Sequence, residues 1–333
     1  MAEQQSLSKD GIINIGKTLY NLRLVVARSG NLSCRVDKDN IFITATGASL
    51  GNLSEEEIIK VDLTDSQEIK NSRLTSEFPL HSAIYKNFTN NVVIHCHPTL
   101  TNAYFAAVPA LKTLTFETKL SLGDIPVLEQ DTPRITRLEP VIGALRTNNI
   151  VVLKNHGVVA VGKSFKDALY LVEELEEAVK LASVARLFDK NILDDLDVAL
   201  KEDLTKNASD YPMFSKEHIQ AIVELVNKDE FIAQKGKELD LTVQLAIKLN
   251  ETGQAFKFNF EKGRIIRLDA DADAPFVISA PKEIWEQVFL GKLDSFVAVT
   301  QGKMKLEGQL SQLSKWYVPF TRLFALFKQV RFS

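Results

Sequence analysis

Cysteine is almost missing from this chain. Its 333 residues hold two, Cys34 and Cys96. That is too few for a disulfide framework and fits a reduced, cytoplasmic protein. A surplus of one charge is missing too. Lys and Arg number 40 against 43 Asp and Glu, a net charge of −3, which gives nucleic acid no electrostatic handle. No run reaches the roughly 18 apolar residues of a membrane span. The opening Met-Ala-Glu-Gln-Gln-Ser-Leu-Ser-Lys-Asp has no basic stretch leading into an apolar one, so no signal peptide is expected. No low-complexity tract and no repeat of solenoid length is present. What remains is an ordinary globular composition, 45% hydrophobic and 25% charged, long enough for two domains.

Histidine is scarce as well, and its placement is informative. Of five histidines, His95 and His97 lie in Asn91-Val-Val-Ile-His-Cys-His-Pro98, and His156 lies in Asn155-His-Gly157. The first pair ends a β-branched apolar run. On a strand, residues i and i+2 share a face, so both imidazoles project side by side. His156 follows a second apolar run, Ile150-Val-Val-Leu153. A lone strand histidine is usually an ordinary core or surface residue. Three together can hold a catalytic zinc and leave one coordination position open.

The first half alternates helical and strand patterns, which argues for an α/β or α+β layered domain. The spacing predicts a helix over 9–27 stopped by Gly30, and a hairpin of 33–36 and 40–44 around Asp37-Lys-Asp39. A short helix should start near Ser54. Further helices are expected at 78–88, capped by Thr75 or Ser76, at 133–146, and at 165–188, capped by Ser164. In the last, Ala168, Leu171, Leu175, Ala178, Leu181 (with Ala182) and Ala185 should form the inward stripe, and Glu176 and Lys180 should pair on the other face.

Gly30-Asn-Leu-Ser33, Thr46-Gly-Ala-Ser49, Thr75-Ser-Glu77, His81, His95-Cys-His-Pro98 and Asn155-His-Gly157 occur in this order. The ordered set resembles the class II aldolase/adducin family over about residues 8–190. The resemblance implies a three-layer α/β/α fold, a homotetramer with active sites at subunit interfaces, and one Zn2+ per subunit. It implies His95, His97 and His156 as metal ligands and Glu77 as the acid/base residue. It implies Gly30, Asn31, Thr46, Gly47, Thr75 and Ser76 as the cradle of a substrate phosphate. Chemistry agrees with that cradle, because a phosphate dianion seeks backbone N–H groups, hydroxyls and a helix N-terminus. His81, four residues after Glu77, is either a partner of the site or a plain helix residue. The activity implied is cleavage or formation of a carbon–carbon bond in a small ketose phosphate, of the fuculose- or rhamnulose-phosphate aldolase type. An epimerase, dehydratase or decarboxylase uses the same scaffold. A non-catalytic lipid-binding or scaffold protein is the reading from another class. Where family aldolases place a tyrosine, this chain reads Leu114-Thr-Phe-Glu-Thr-Lys119.

Composition shifts after Phe188. Residues 191–214 read as an acidic linker, with Leu193, Leu196, Leu200 and Leu204 spaced for a modest helix. Residues 215–333 carry their own apolar runs. A strand near Phe276, a helix opened by Pro281 with Trp285 inward, Gly291-Lys-Leu293 and Gly302-Lys-Met-Lys-Leu-Glu-Gly308 resemble the sterol carrier protein 2 family. That resemblance implies a smaller α/β domain with an apolar tunnel for acyl chains or other lipids, or a module for assembly. The terminal row Leu313, Trp316, Tyr317, Phe320, Phe324 and Phe327 reads as core at helical spacing.

Overall fold

In the computed structural model of this protein, residues 7–65, 71–130, 132, 134–189, 211–309 and 313–333 are described. The chain divides into two units, Met1–Leu196 and Asp197–Ser333.

The first unit runs α1 (Lys9–Asn21), β1 (Asn31–Arg35), β2 (Asn40–Thr44), β3 (Ile58–Asp62), α2 (Phe78–Asn87) and β4 (Val92–Cys96). It continues with α3 (Thr99–Ala107), α4 (Phe116–Leu122), β5 (Val127–Leu128), α5 (Leu138–Thr147), β6 (Ile150–Leu153), β7 (Gly157–Gly162) and α6 (Phe165–Phe188). The seven strands lie in the order β3-β2-β1-β4-β7-β6-β5. All neighbours are antiparallel except β5 and β6. Alternation along the strands builds two cores. Leu32, Cys34, Val92, Ile94 and Cys96 pack on one side with Ile12, Phe105 and Leu175 of α1, α3 and α6. Ile41, Ile43, Val93 and Val159 pack on the other with Ile84 of α2 and Val141 of α5. Helices therefore cover both faces, and the expected three-layer α/β/α fold is present.

The second unit runs α7 (Lys216–Lys228), α8 (Glu230–Glu238), β8 (Val243–Leu249), β9 (Ala255–Glu261), β10 (Arg264–Asp269), β11 (Phe276–Ala280), α9 (Lys282–Phe289), α10 (Ser295–Thr300), β12 (Lys305–Glu307) and α11 (Tyr317–Phe327). Its sheet order is β10-β9-β8-β11-β12, with β8 and β11 parallel. Its core is strongly aromatic. Phe214, Phe258, Trp285, Phe289 and Phe327 are at most 1% exposed, and the Trp285 and Phe289 rings stack at 5.6 Å. One small cavity lies among Leu245, Ser295, Phe296, Phe320 and Phe324. It holds about 20 Å³, room for one water rather than an acyl chain.

The helix over 165–188 falls where its pattern places it, with Ser164 and Asp167 forming a capping box. Other expectations shift. The first helix ends at Asn21, well short of Ala27. Arg23 adopts φ +59°. The Leu24 N–H then reaches Leu19 O, and the Arg23 N–H reaches Tyr20 O, a Schellman ending built without glycine. The helix expected over 133–146 begins at Leu138. That places Pro140 in its first turn, where a missing N–H costs nothing; an earlier start would put it in the interior. Pro133 itself lies outside the described residues. The short helix after Ser54 is a single 3-10 turn, Glu55–Glu57. Glu176 and Lys180 do not pair. Lys180 meets Glu177 at 3.4 Å, because Glu176 is engaged elsewhere. Leu181 is exposed while Ala182 is buried. Most of the expected linker, including its four leucines, lies outside the described residues. Its last four residues belong to the second unit, where Tyr211 bridges to Phe332 and Phe214 is buried.

Candidate active site

The three histidines meet at one end of the seven-stranded sheet. His95 is in β4, paired with Asn31 of β1 on one side and Val159 of β7 on the other. The strand ends at Cys96, so His97 stands just beyond it. His156 sits in the turn between β6 and β7, whose sequence suits two local demands. Asn155 takes φ +60°, a left-handed conformation that asparagine tolerates. A Cβ on Gly157 would lie 2.4 Å from Cys96 O and 2.6 Å from His97 Cδ2. Only glycine lets this turn close against the His97 segment.

The ring centroids of the three histidines lie 4.9, 4.9 and 5.0 Å apart, and one nitrogen from each falls within 4.8 Å of the others. His95 Nδ1–H donates to Val158 O at 2.9 Å. That fixes the tautomer and leaves a lone pair on Nε2. His97 Nε2 lies 3.1 Å from His95 Nε2. Two ligands of one tetrahedral ion at zinc–nitrogen distances stand about 3.4 Å apart. His156 Nδ1 is buried without a hydrogen-bond partner among the described residues. Burial lowers all three pKa values, that of His97 to about 4 with help from His156. Neutral imidazoles with convergent lone pairs and an orphaned buried nitrogen fit a divalent metal.

Glu77 is 5% exposed and precedes α2. Burial raises its pKa above the ordinary carboxylate range, opposed by the Ile135 N–H and the Arg134 charge. The Ile135 N–H donates to its Oε2 at 3.3 Å. The residues implied for the phosphate come to the same sheet end from three loops. Gly30 has φ +82°, and a Cβ there would lie 2.7 Å from His95 O, so backbone closeness to the histidine strand again demands glycine. Asn31 follows it and is buried. Thr46 and Gly47, both exposed, follow β2. Their loop is tied to the next by the Ala45–Leu74 bridge and by the Thr46 N–H donating to Arg73 O at 2.8 Å. Thr75 is buried and Ser76 exposed. Thr75 Oγ1 accepts the Glu77 N–H at 3.4 Å, but α2 is opened by Glu77 with no side-chain cap, so neither Thr75 nor Ser76 is the cap expected.

Several contacts that shape the site were not foreseen. Pro98 gives α3 no side-chain cap. Glu176 of α6 supplies one, accepting the N–H groups of Leu100 and Thr101 and the Thr101 hydroxyl. Asn102 Nδ2 donates to His156 O at 3.2 Å. His81, whose role was open, is fully buried in a polar chain with Asn31, Ser33 and Tyr85. Its i+4 spacing from Glu77 was the available signal. In the tyrosine-free segment, Thr115 caps α4 and Phe116 is 65% exposed.

Residues 10–183 match the class II aldolase and adducin N-terminal domain, and residues 226–317 match the SCP-2 sterol transfer family. The L-fuculose phosphate aldolase of Methanocaldococcus jannaschii is 35% identical over 185 residues, 55% of this chain and 100% of that protein. The 3-oxo-tetronate 4-phosphate decarboxylase of Haemophilus influenzae is 30% identical over 186 residues, 52% of this chain and 85% of its own length. The crystal structure of L-fuculose-1-phosphate aldolase from Thermus thermophilus superposes with a TM-score of 0.50 at 25% identity, over 54% of this chain and 94% of that one.

Proposed function

The chain belongs to the class II aldolase and adducin family, as a lyase joined to an SCP-2 family domain, and from that premise we propose that it cleaves a carbon–carbon bond in a small ketose phosphate. The observation that carries this reading is the cluster of three neutral histidines, to which the family pattern adds the buried Glu77 at the start of α2. His95, His97 and His156 would hold one zinc ion. When bound, the metal supplies Lewis acidity toward the carbonyl oxygen of the substrate.

The chain's own residues do the rest. Glu77 moves the proton. Burial has raised its pKa toward the working range of a general acid/base, and the Ile135 N–H holds one carboxylate oxygen and so aims the other. Gly30, Asn31, Thr46, Gly47, Thr75 and Ser76 grip the phosphate. Their distance from the breaking bond lets binding energy fix the reacting carbon. Assembly as a tetramer belongs to the same proposal.

Decarboxylation of a phosphorylated 3-oxo acid is the second reading, favoured by one feature. The segment Leu114–Lys119 offers no tyrosine to take the hydroxyl proton as a retro-aldol step turns that hydroxyl into an aldehyde, whereas loss of CO2 from a 3-oxo acid needs no such base. The test is product analysis with zinc-loaded protein. L-fuculose 1-phosphate and related ketose phosphates should yield dihydroxyacetone phosphate and an aldehyde. Inertness toward them, with CO2 released from 3-oxo-tetronate 4-phosphate, would shift the assignment to the decarboxylase.

A further inference from the structure

Four polar side chains run in a buried line from the interior to the proposed phosphate site. Tyr85 OH lies 2.8 Å from Ser33 Oγ. Ser33 Oγ lies 2.6 Å from His81 Nδ1. His81 Nε2 lies 2.6 Å from Asn31 Oδ1. Exposure along this line is 5%, 0%, 0% and 7% from tyrosine to asparagine. Asn31 and Ser33 are two apart on β1, and His81 and Tyr85 four apart on α2, so one strand face and one helix face supply the whole line.

The chemistry of the groups sets the direction. The amide oxygen of Asn31 only accepts, so His81 Nε2 carries a proton and donates to it. Burial lowers the His81 pKa to about 3, so the ring is neutral and Nδ1 must accept. Ser33 O–H therefore donates to Nδ1, and Tyr85 O–H donates to Ser33. Every group is satisfied in this one arrangement. Its consequence falls on Asn31. With Oδ1 committed to His81, the amide NH2 is left as the free end, and Asn31 Nδ2 has no partner among the described residues. Were the amide reversed, its oxygen would face the ligand and repel an anion.

We propose that His81 is a positioning residue for anion recognition, holding Asn31 so that its NH2, and not its oxygen, faces the substrate phosphate. This rests on the phosphate reading given above and adds to it the element that fixes donor polarity. Glu77 and the three histidines act on the reacting carbons, whereas the Tyr85–Ser33–His81 line acts only through Asn31.

The test uses the zinc-loaded full chain and two probes, dihydroxyacetone phosphate and inorganic phosphate, with binding read by calorimetry. Asn31→Ala and His81→Phe should each weaken both probes about tenfold or more, as expected for loss of a charge-assisted hydrogen bond. The double variant should be no weaker than the worse single one, because the two act as a unit. His81→Gln, which keeps one donor and one acceptor, should recover most of the affinity. Zinc stoichiometry should stay at the wild-type value throughout. Where His81→Phe does not fold, Ser33→Ala carries the test, because it frees Nδ1 and with it the tautomer. A folded, zinc-bound His81→Phe or Ser33→Ala with unchanged affinity, beside a weakened Asn31→Ala, overturns the positioning role alone. Wild-type protein that binds neither probe overturns the phosphate reading and this inference with it.

Discussion

The carboxylate of Glu176 accepts both the backbone N–H and the hydroxyl of Thr101, at 2.9 and 2.7 Å. A side chain in the last long helix of the first unit thus caps the helix that follows His97 and Pro98, and anchors the chain on one side of the three-histidine cluster. Glu176→Ala should leave the N–H groups of Leu100 and Thr101 uncapped, at a cost of about 1–2 kcal/mol. Calorimetry should show the melting temperature of this unit falling by several degrees. Glu176→Gln, with one acceptor oxygen in place of two, should fall between.

Gly157→Ala should harm metal binding more than stability elsewhere. The added Cβ would press on Cys96 O and the His97 ring, moving His97 relative to His156. Zinc affinity, measured by competition with a chromophoric chelator, should drop about tenfold or more, the range seen when support of a metal ligand is lost.

Glu77→Gln should keep its metal and lose turnover by about 100-fold or more. Because burial raises the Glu77 pKa, kcat/KM of the wild type should fall with decreasing pH at a value above the ordinary carboxylate range. The glutamine variant should lack that limb. Stopped assays across pH 4–8 on both proteins read the difference.

His218 makes the second unit sensitive to acid. It is fully buried, edge-on to Phe289 at 4.9 Å, and desolvation lowers its pKa to about 4. The unfolded chain takes up the proton near pH 6.5, so stability is complete above that value. It declines as pH falls toward 4, by on the order of 2–3 kcal/mol from this group. Denaturant titrations at pH 7 and pH 4.5 should show the decline, and His218→Leu should flatten it.

The cavity beside Ser295 is too small for a lipid unless aromatic side chains move. Phe320→Ala should open it, destabilising the unit by about 3–5 kcal/mol. The full chain with this substitution should take up a fluorescent fatty acid more tightly than the wild type. Tight uptake by the wild type would mean that Phe296, Phe320 and Phe324 already swing aside.

Much of this was legible in the sequence where a short-range rule applies. The helix over 165–188 has a capping box and an unbroken apolar stripe. Trp285 and Phe289 follow a proline that opens their helix. His95 and His97 end a β-branched strand at a proline. What stayed hidden depends on partners far along the chain or on conformations without a sequence mark. Arg23 turns α1 off in a left-handed conformation usually left to glycine. Glu176 looks like half of an exposed ion pair until α3 is placed against it, 75 residues away. The line from Tyr85 to Asn31 needs β1 packed on α2 before any of its bonds exist.

His95, His97 and His156 should form one metal site on which turnover depends. The most direct measurement is a calorimetric zinc titration of chelator-stripped, desalted protein, wild type beside His97→Ala. One tightly bound zinc per chain is expected in the wild type, with loss of that binding in the variant and folding retained by circular dichroism. Wild-type protein that takes up no zinc, or a His97→Ala protein that binds it as tightly as the wild type, would contradict it.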